Sequence, residues 1–225
     1  MTSLRELAHR WRRSAYWRDV AWLASGTLLA QLIGLAGMPL LTRLYTPEHL
    51  ALQSLFVQVV AFSVVLSTWR YEYFVQLPKE PADAVSLLAL VLRLAAAACV
   101  VATPAVWLAR EPLARWLGAP TLAPWLVLVP VTAGLTSVSV GMQNFAQRRN
   151  QYRVSSLSEV ANKSAYIGTA LASHWVFAGP GGLMLATAAS ALGKIAWLWG
   201  SQRADWPALR GAGGLGTDGR ERGHQ

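Results

Sequence analysis

Cysteine is almost missing from this chain of 225 residues: Cys99 stands alone, so no internal disulfide can form, and its apolar surroundings make it a small buried hydrophobe. The 4 histidines are scattered, none near another at a metal-ligand spacing. The sequence has no Gly-rich loop ending in Gly-Lys-Ser or Gly-Lys-Thr and no His-Glu-x-x-His. Nucleotide and metal hydrolysis therefore lack their residues; no cofactor, metal or catalytic residue is expected, and the chain does not read as an enzyme. Charge is the third scarcity, at 14% of residues against roughly 25% in soluble proteins. Positions 20–42, 49–69, 116–147 and 164–193 hold no charged residue at all. The 20 Lys and Arg outweigh 11 Asp and Glu, but a basic nucleic-acid-binding domain would not leave such gaps, so no nucleic-acid partner is expected.

What is abundant is apolar: 54% of residues against roughly 45–50% on average. A helix of 23 residues, such as 20–42, reaches about 34 Å, enough to cross a hydrocarbon core about 30 Å thick. These windows predict an all-α, polytopic membrane bundle of six transmembrane helices. The spans are 20–42, 49–69, 84–109 (interrupted by Arg93), about 121–147 after Pro120, 155–178 and 183–200, the last two separated by Gly179-Pro180-Gly181-Gly182. Residues 1–19 carry five arginines with Leu4, Leu7, Ala8, Trp11 and Ala15 at helical spacing, the pattern of a basic amphipathic interfacial segment. The apolar run behind it is too long for a signal peptide, so it is read as a retained span. Residues 201–225 read as a disordered, Gly-rich tail following a lobe at 20–200.

With the N-terminus inside, the inner segments hold 15 Lys and Arg, Lys163 included with Arg148, Arg149 and Arg153, and the outer loops hold 3: Arg43, Arg110 and Arg115. That asymmetry predicts cytoplasmic termini. Trp17, Trp22, Trp69, Tyr71, Trp107, Trp116, Trp197 and Trp199 fall at the span ends, where amphipathic rings are favoured.

Gly26, Ala30 and Gly34 form a smooth strip that lets a neighbour approach closely, either as static packing or as a sliding surface. Pro39, Pro104 and Pro130 permit bends. Arg93 and Lys194 are the candidate substrate-binding cations of an internal cavity. Arg93 stands about 14 Å from the inner end of span three, and a charge at that depth costs roughly 2.5–3.5 kcal/mol on insertion scales, so it is expected to face water or a partner. Lys194, about 9 Å from its end, is also within reach of the headgroups by snorkelling. Arg148, Arg149, Arg153 and Lys163 can serve as orientation charges, and Arg70 can pair with Glu72.

A family resemblance rests on an ordered set of segments: Ser25-Gly26-Thr27; Pro39-Leu40-Leu41-Thr42-Arg43-Leu44-Tyr45-Thr46-Pro47-Glu48; Arg70-Tyr71-Glu72; Leu77-Pro78-Lys79; Gln147-Arg148-Arg149-Asn150-Gln151-Tyr152-Arg153; and Gly181-Gly182-Leu183. In order and in position relative to the spans they resemble the N-terminal half of bacterial polysaccharide and O-antigen flippases, of the multidrug, oligosaccharidyl-lipid and polysaccharide exporter superfamily. Gly26, Pro39, Arg43, Tyr45, Pro47, Arg70, Glu72, Pro78, Arg149 and Tyr152 are the motif positions. The resemblance implies a role in lipopolysaccharide biosynthesis: a polyprenyl-pyrophosphate-linked oligosaccharide moved across the bacterial inner membrane by alternating access. It also implies two lobes of 12 to 14 helices in all. Six helices supply one lobe, so a homodimer or a separate second-lobe chain is expected, alongside the membrane lipids. Two alternatives stand beside it: a small-molecule exporter of the same superfamily, disfavoured because no Asp or Glu is expected deep in a span, and a non-transporting scaffold subunit of envelope-polysaccharide machinery.

Overall fold

The computed structural model describes residues 15–69, 81–176 and 179–203. The interfacial segment up to residue 14, the motif residues Arg70, Glu72 and Pro78, and the tail from 204 onward lie outside the described residues. Six α-helices and one 3₁₀ turn follow in order: α1 (Ala15–Leu44), α2 (Pro47–Thr68), α3 (Pro81–Trp116), the turn at Pro120–Trp125, α4 (Leu128–Arg148), α5 (Tyr152–His174) and α6 (Gly181–Ser201). No strand occurs among the described residues. The chain folds as an all-α membrane bundle: α1, α2, α3 and α6 each carry a stretch long and apolar enough to cross a membrane. Helices α4 and α5 are of similar length but carry most of the buried Ser, Thr and Asn side chains among the described residues, with buried positions running from Val129 to Ala146 on α4.

Local chemistry explains the boundaries. Thr46 is extended (φ −69°, ψ 157°) and its Oγ1 accepts from the His49 N–H at 3.3 Å, while Pro47 opens α2 and Glu48 sits in its first turn. This is a helix start built from a cap, a preset φ and a favourable charge. Helix α2 ends at Trp69 in the left-handed region (φ 46°), its N–H donating to the Val65 carbonyl at 3.0 Å.

Three boundaries differ from the sequence reading. Helix α3 does not stop near 109; it runs 36 residues to Trp116, straight through Pro104 and Pro112, about 54 Å in length. Pro120 and Pro124 do not lead into the fourth helix directly but build the 3₁₀ turn, whose Leu122 is buried under the bundle, so α4 starts only at Leu128. Helix α5 starts at Tyr152 rather than 155, and Lys163, counted with the inner-loop cations although it falls within 155–178, stands in the middle of that helix. The inner basic count falls accordingly to 14.

Neighbouring contacts fix the helix directions. On α1, a side chain at Gly26 would strike Ser156 and one at Gly37 would strike Ile167, both on α5, so these two helices run parallel and meet through the small-residue strip. On the α5–α6 hairpin, Asn162 meets Ser190 and Val154 meets Trp197, an antiparallel pairing. Gly134 packs on Ala95 and Cys99 while Gly141 packs on Val91 and Leu88, which makes α3 and α4 antiparallel as well. Helices α1, α3 and α5 thus point one way and α2, α4 and α6 the other. Arg148, Arg149, Arg153 and Arg203 gather at one end, where Arg153 lies over the Trp22 ring at 4.7 Å. At the opposite end Tyr45 is buried, donates to the Ala170 carbonyl at 2.7 Å and meets His174 edge-on. Gly182 must be glycine there, because a side chain would strike the Tyr45 hydroxyl and Ser173.

Candidate functional site

Helix α5 places polar side chains on two of its faces. Toward α4 and α6 lie Ser155, Glu159 and Asn162, spaced four and three residues apart and so stacked on one side. Lys194 of α6 is buried, its side chain 8% exposed, and its Nζ donates to Glu159 Oε1 at 2.7 Å. Gln143 of α4 donates from Nε2 to the same carboxylate oxygen at 2.9 Å and to Ser155 Oγ at 3.2 Å; Gln147 adds a second donor to Ser155 Oγ at 2.9 Å. Asn162 Nδ2 donates to the Ser190 carbonyl at 3.3 Å. A charged pair sunk between helices is tolerable because hydrogen bonds occupy the carboxylate from two sides.

The other face opens on a cleft of about 350 Å³ between α1, α2 and α5. Its polar lining is Gln31, Gln53, Ser54, Lys163 and Tyr166, set between the apolar walls of Leu35, Met38 and Ile167. Ser54 Oγ is committed to the Leu50 carbonyl of its own helix at 2.9 Å. The amides of Gln31 and Gln53, the Lys163 ammonium and the Tyr166 hydroxyl have no hydrogen-bond partner among the described residues. Lys163 reaches the cleft because Gly34 leaves room: a Cβ at that glycine would sit 3.9 Å from the Lys163 Cδ and Cε, in ordinary contact.

The residues expected from sequence are distributed as follows. Arg93 is exposed on the outer side of α3, in line with the exposed Ala97, Val100 and Val101, whereas Ala95 and Cys99 face α4. Lys194 does not snorkel; Glu159 holds it inside the bundle. The expectation that no carboxylate lies deep in a helix is corrected by the same residue, which stands at the eighth position of α5. Gly26 supports the α1–α5 contact, Tyr45 ties the α1–α2 corner to α5, and Pro47 starts α2. Pro39 lies within α1 on the exposed side, its carbonyl accepting from Thr42 Oγ1 at 3.1 Å, and Arg43 is exposed. Arg149 lies over the Phe145 ring, and the Tyr152 hydroxyl donates to Asn150 Oδ1 at 3.2 Å at the α4–α5 turn. Among the described motif positions most make turns or helix contacts, Pro39 and Arg43 are exposed, and the cleft draws on none of them.

The fold and the site define a multi-pass membrane helical bundle with ionisable groups inside it. Comparison with protein-family models, with curated proteins and with solved structures finds no match to this chain.

Proposed function

We propose that the chain is one lobe of a polysaccharide-flippase-type transporter, which together with a second lobe moves a polyprenyl-pyrophosphate-linked oligosaccharide across the bacterial inner membrane by alternating access. The observation that carries this reading is the balance of charge away from the helix ends. More than six residues from either end of a described helix, three cations occur, Arg93, Lys163 and Lys194, against the single carboxylate Glu159. Ionisable groups at such positions are expensive in a membrane and mark functional sites. Lys194 and Glu159 pair with each other and Arg93 lies on the exposed side of α3, so the cation that faces a cleft is Lys163, which suits an anionic cargo. Glu159 does not reopen the case for a cationic drug, because its carboxylate is engaged by Lys194 and Gln143.

Alternating access needs two bundles rocking about a central site, so the active form is a homodimer or a complex with a second-lobe chain. Vesicles containing the assembled protein and a fluorescent polyprenyl-pyrophosphate oligosaccharide test this. The assembled form should expose the glycan to an added lectin on the far side, and the separated monomer should not. A stable assembly that moves no lipid would overturn the transport reading. The basic end of the bundle is assigned to the cytoplasm: reporter fusions after residues 155 and 203 should read as cytoplasmic, and those after 46 and 180 as periplasmic.

A further inference from the structure

We propose that the cleft between α1, α2 and α5 binds the phosphate head of a membrane amphiphile, with the Lys163 ammonium as its anion-binding group. The inference rests on the transport reading above and gives it a site. Four polar side chains that make no hydrogen bond among the described residues, Gln31, Gln53, Lys163 and Tyr166, come from three different helices to one cavity. Gln31 is exposed and the other three are half-buried, and leaving such groups beside hydrocarbon without hydrogen bonds is costly. On the neighbouring face of α5 the charged and amide groups are bonded to one another.

What they offer defines the ligand. An ammonium, two amide NH₂ groups and a phenolic hydroxyl can present donors toward one space, with a net positive charge among them. Glu159, one turn from Lys163 on α5, already receives Lys194 and Gln143 on Oε1. The complementary group is compact, anionic and rich in acceptor oxygens: a phosphate or pyrophosphate. A volume of about 350 Å³ is at the small end of ligand pockets, which run from roughly 300 to 1,000 Å³, and holds such a head group and its waters rather than an oligosaccharide.

The position of the cleft selects an amphiphile over a soluble anion. It runs from the middle of α1 and α5 toward the first two turns of α2, and its rim on α1 is apolar and open: Leu35 is 72% exposed and Met38 50%. A ligand entering from the side brings a hydrocarbon chain that can lie along Leu35 and Met38 while its head reaches Lys163.

The test uses the full chain in detergent, titrated with a long-chain polyprenyl monophosphate and read by native mass spectrometry. Wild-type protein should retain the lipid. Lys163→Met and Lys163→Gln should each lose about tenfold in affinity, the value of one charge-assisted contact, while Lys163→Arg keeps most of it. Gly34→Leu, which fills the space beside Lys163 without touching the charge, should also weaken binding, and Arg115→Gln, at the far end of α3, should not. Uncharged polyprenol should bind poorly, and inorganic pyrophosphate at the same concentration should not displace the lipid. Undiminished binding by folded Lys163 variants would overturn the site and leave the transport reading standing. Failure of the wild-type chain to bind the lipid would overturn both. Displacement by inorganic pyrophosphate would replace the amphiphile with a soluble anion.

Discussion

The two polar faces of α5 carry much the same chemistry and differ in whether their groups have met each other. Toward α4 and α6, Ser155, Glu159 and Asn162 are bonded to Gln143, Gln147, Lys194 and Ser190 across two helix interfaces. Toward α1 and α2, Lys163 and Tyr166 share a cleft with Gln31 and Gln53 without forming hydrogen bonds to them. A closed set of polar groups serves as an internal fastening and tolerates little change. An open set contributes little to folding and is available to a ligand. Polarity alone does not separate the two cases; partnership does.

Five single substitutions and one double variant sharpen that contrast, and thermal unfolding of the detergent-solubilised protein reads all of them. Glu159→Leu strands the buried Lys194 ammonium and should destabilise by about 3 kcal/mol, toward the low end for a broken buried pair because the Glu159 side chain is 33% exposed. Adding Lys194→Met should recover most of the loss; a double variant as unstable as the single would mean the pair is not the cause. Next, Gly37→Leu drives a side chain into Ile167 and should cost about 2 kcal/mol by overpacking, whereas Gly34→Ala meets only ordinary contact and should be nearly neutral. Equal effects at the two glycines would refute the assigned α1–α5 register. Tyr45→Phe removes the hydrogen bond to the Ala170 carbonyl and should cost about 1 kcal/mol. Smallest of all, Gln53→Leu in the cleft should change stability by less than about 0.5 kcal/mol, since it breaks no bond. A large loss there would show that the cleft is part of the fold's fastening after all.

Helices α1, α2, α3 and α6 were legible because long apolar stretches with little or no charge mark membrane helices whatever they pack against. Helices α4 and α5 form as helices but are not apolar enough to count as spans, so four of the six expected spans are matched by membrane-length apolar stretches. The strip at Gly26, Ala30 and Gly34 likewise announced a close neighbour, though nothing local named α5 as that neighbour. Glu159 and Lys163 escaped because both stand near the inner end of the expected span 155–178, Glu159 too shallow there to look deep and Lys163 counted with the flanking cations, whereas α5 runs from Tyr152 to His174 and holds them well inside. The pairing of Glu159 with Lys194 depends on antiparallel geometry rather than local sequence. One signal was available: Glu159 stands 15 residues before the end of α5 and Lys194 stands 13 after the start of α6, so a hairpin folded at Gly179-Pro180 brings them level. The cleft could not be read at all, since its polar residues are spread over three helices and have no shared spacing.

Because α1 is laid against α5, it waits for a partner made much later in the chain. Some 108 residues separate Leu44 from Tyr152, which at roughly 5–20 residues per second is a delay on the order of 5–20 s. During that interval α3 and α4 can join as soon as they are synthesised, while the glycine strip of α1 faces lipid with nothing to receive it. The order of assembly therefore runs against the order of the chain here: α1 docks after α3 and α4, made later, have paired. Any agent that shelters a newly inserted helix would have a long task at α1.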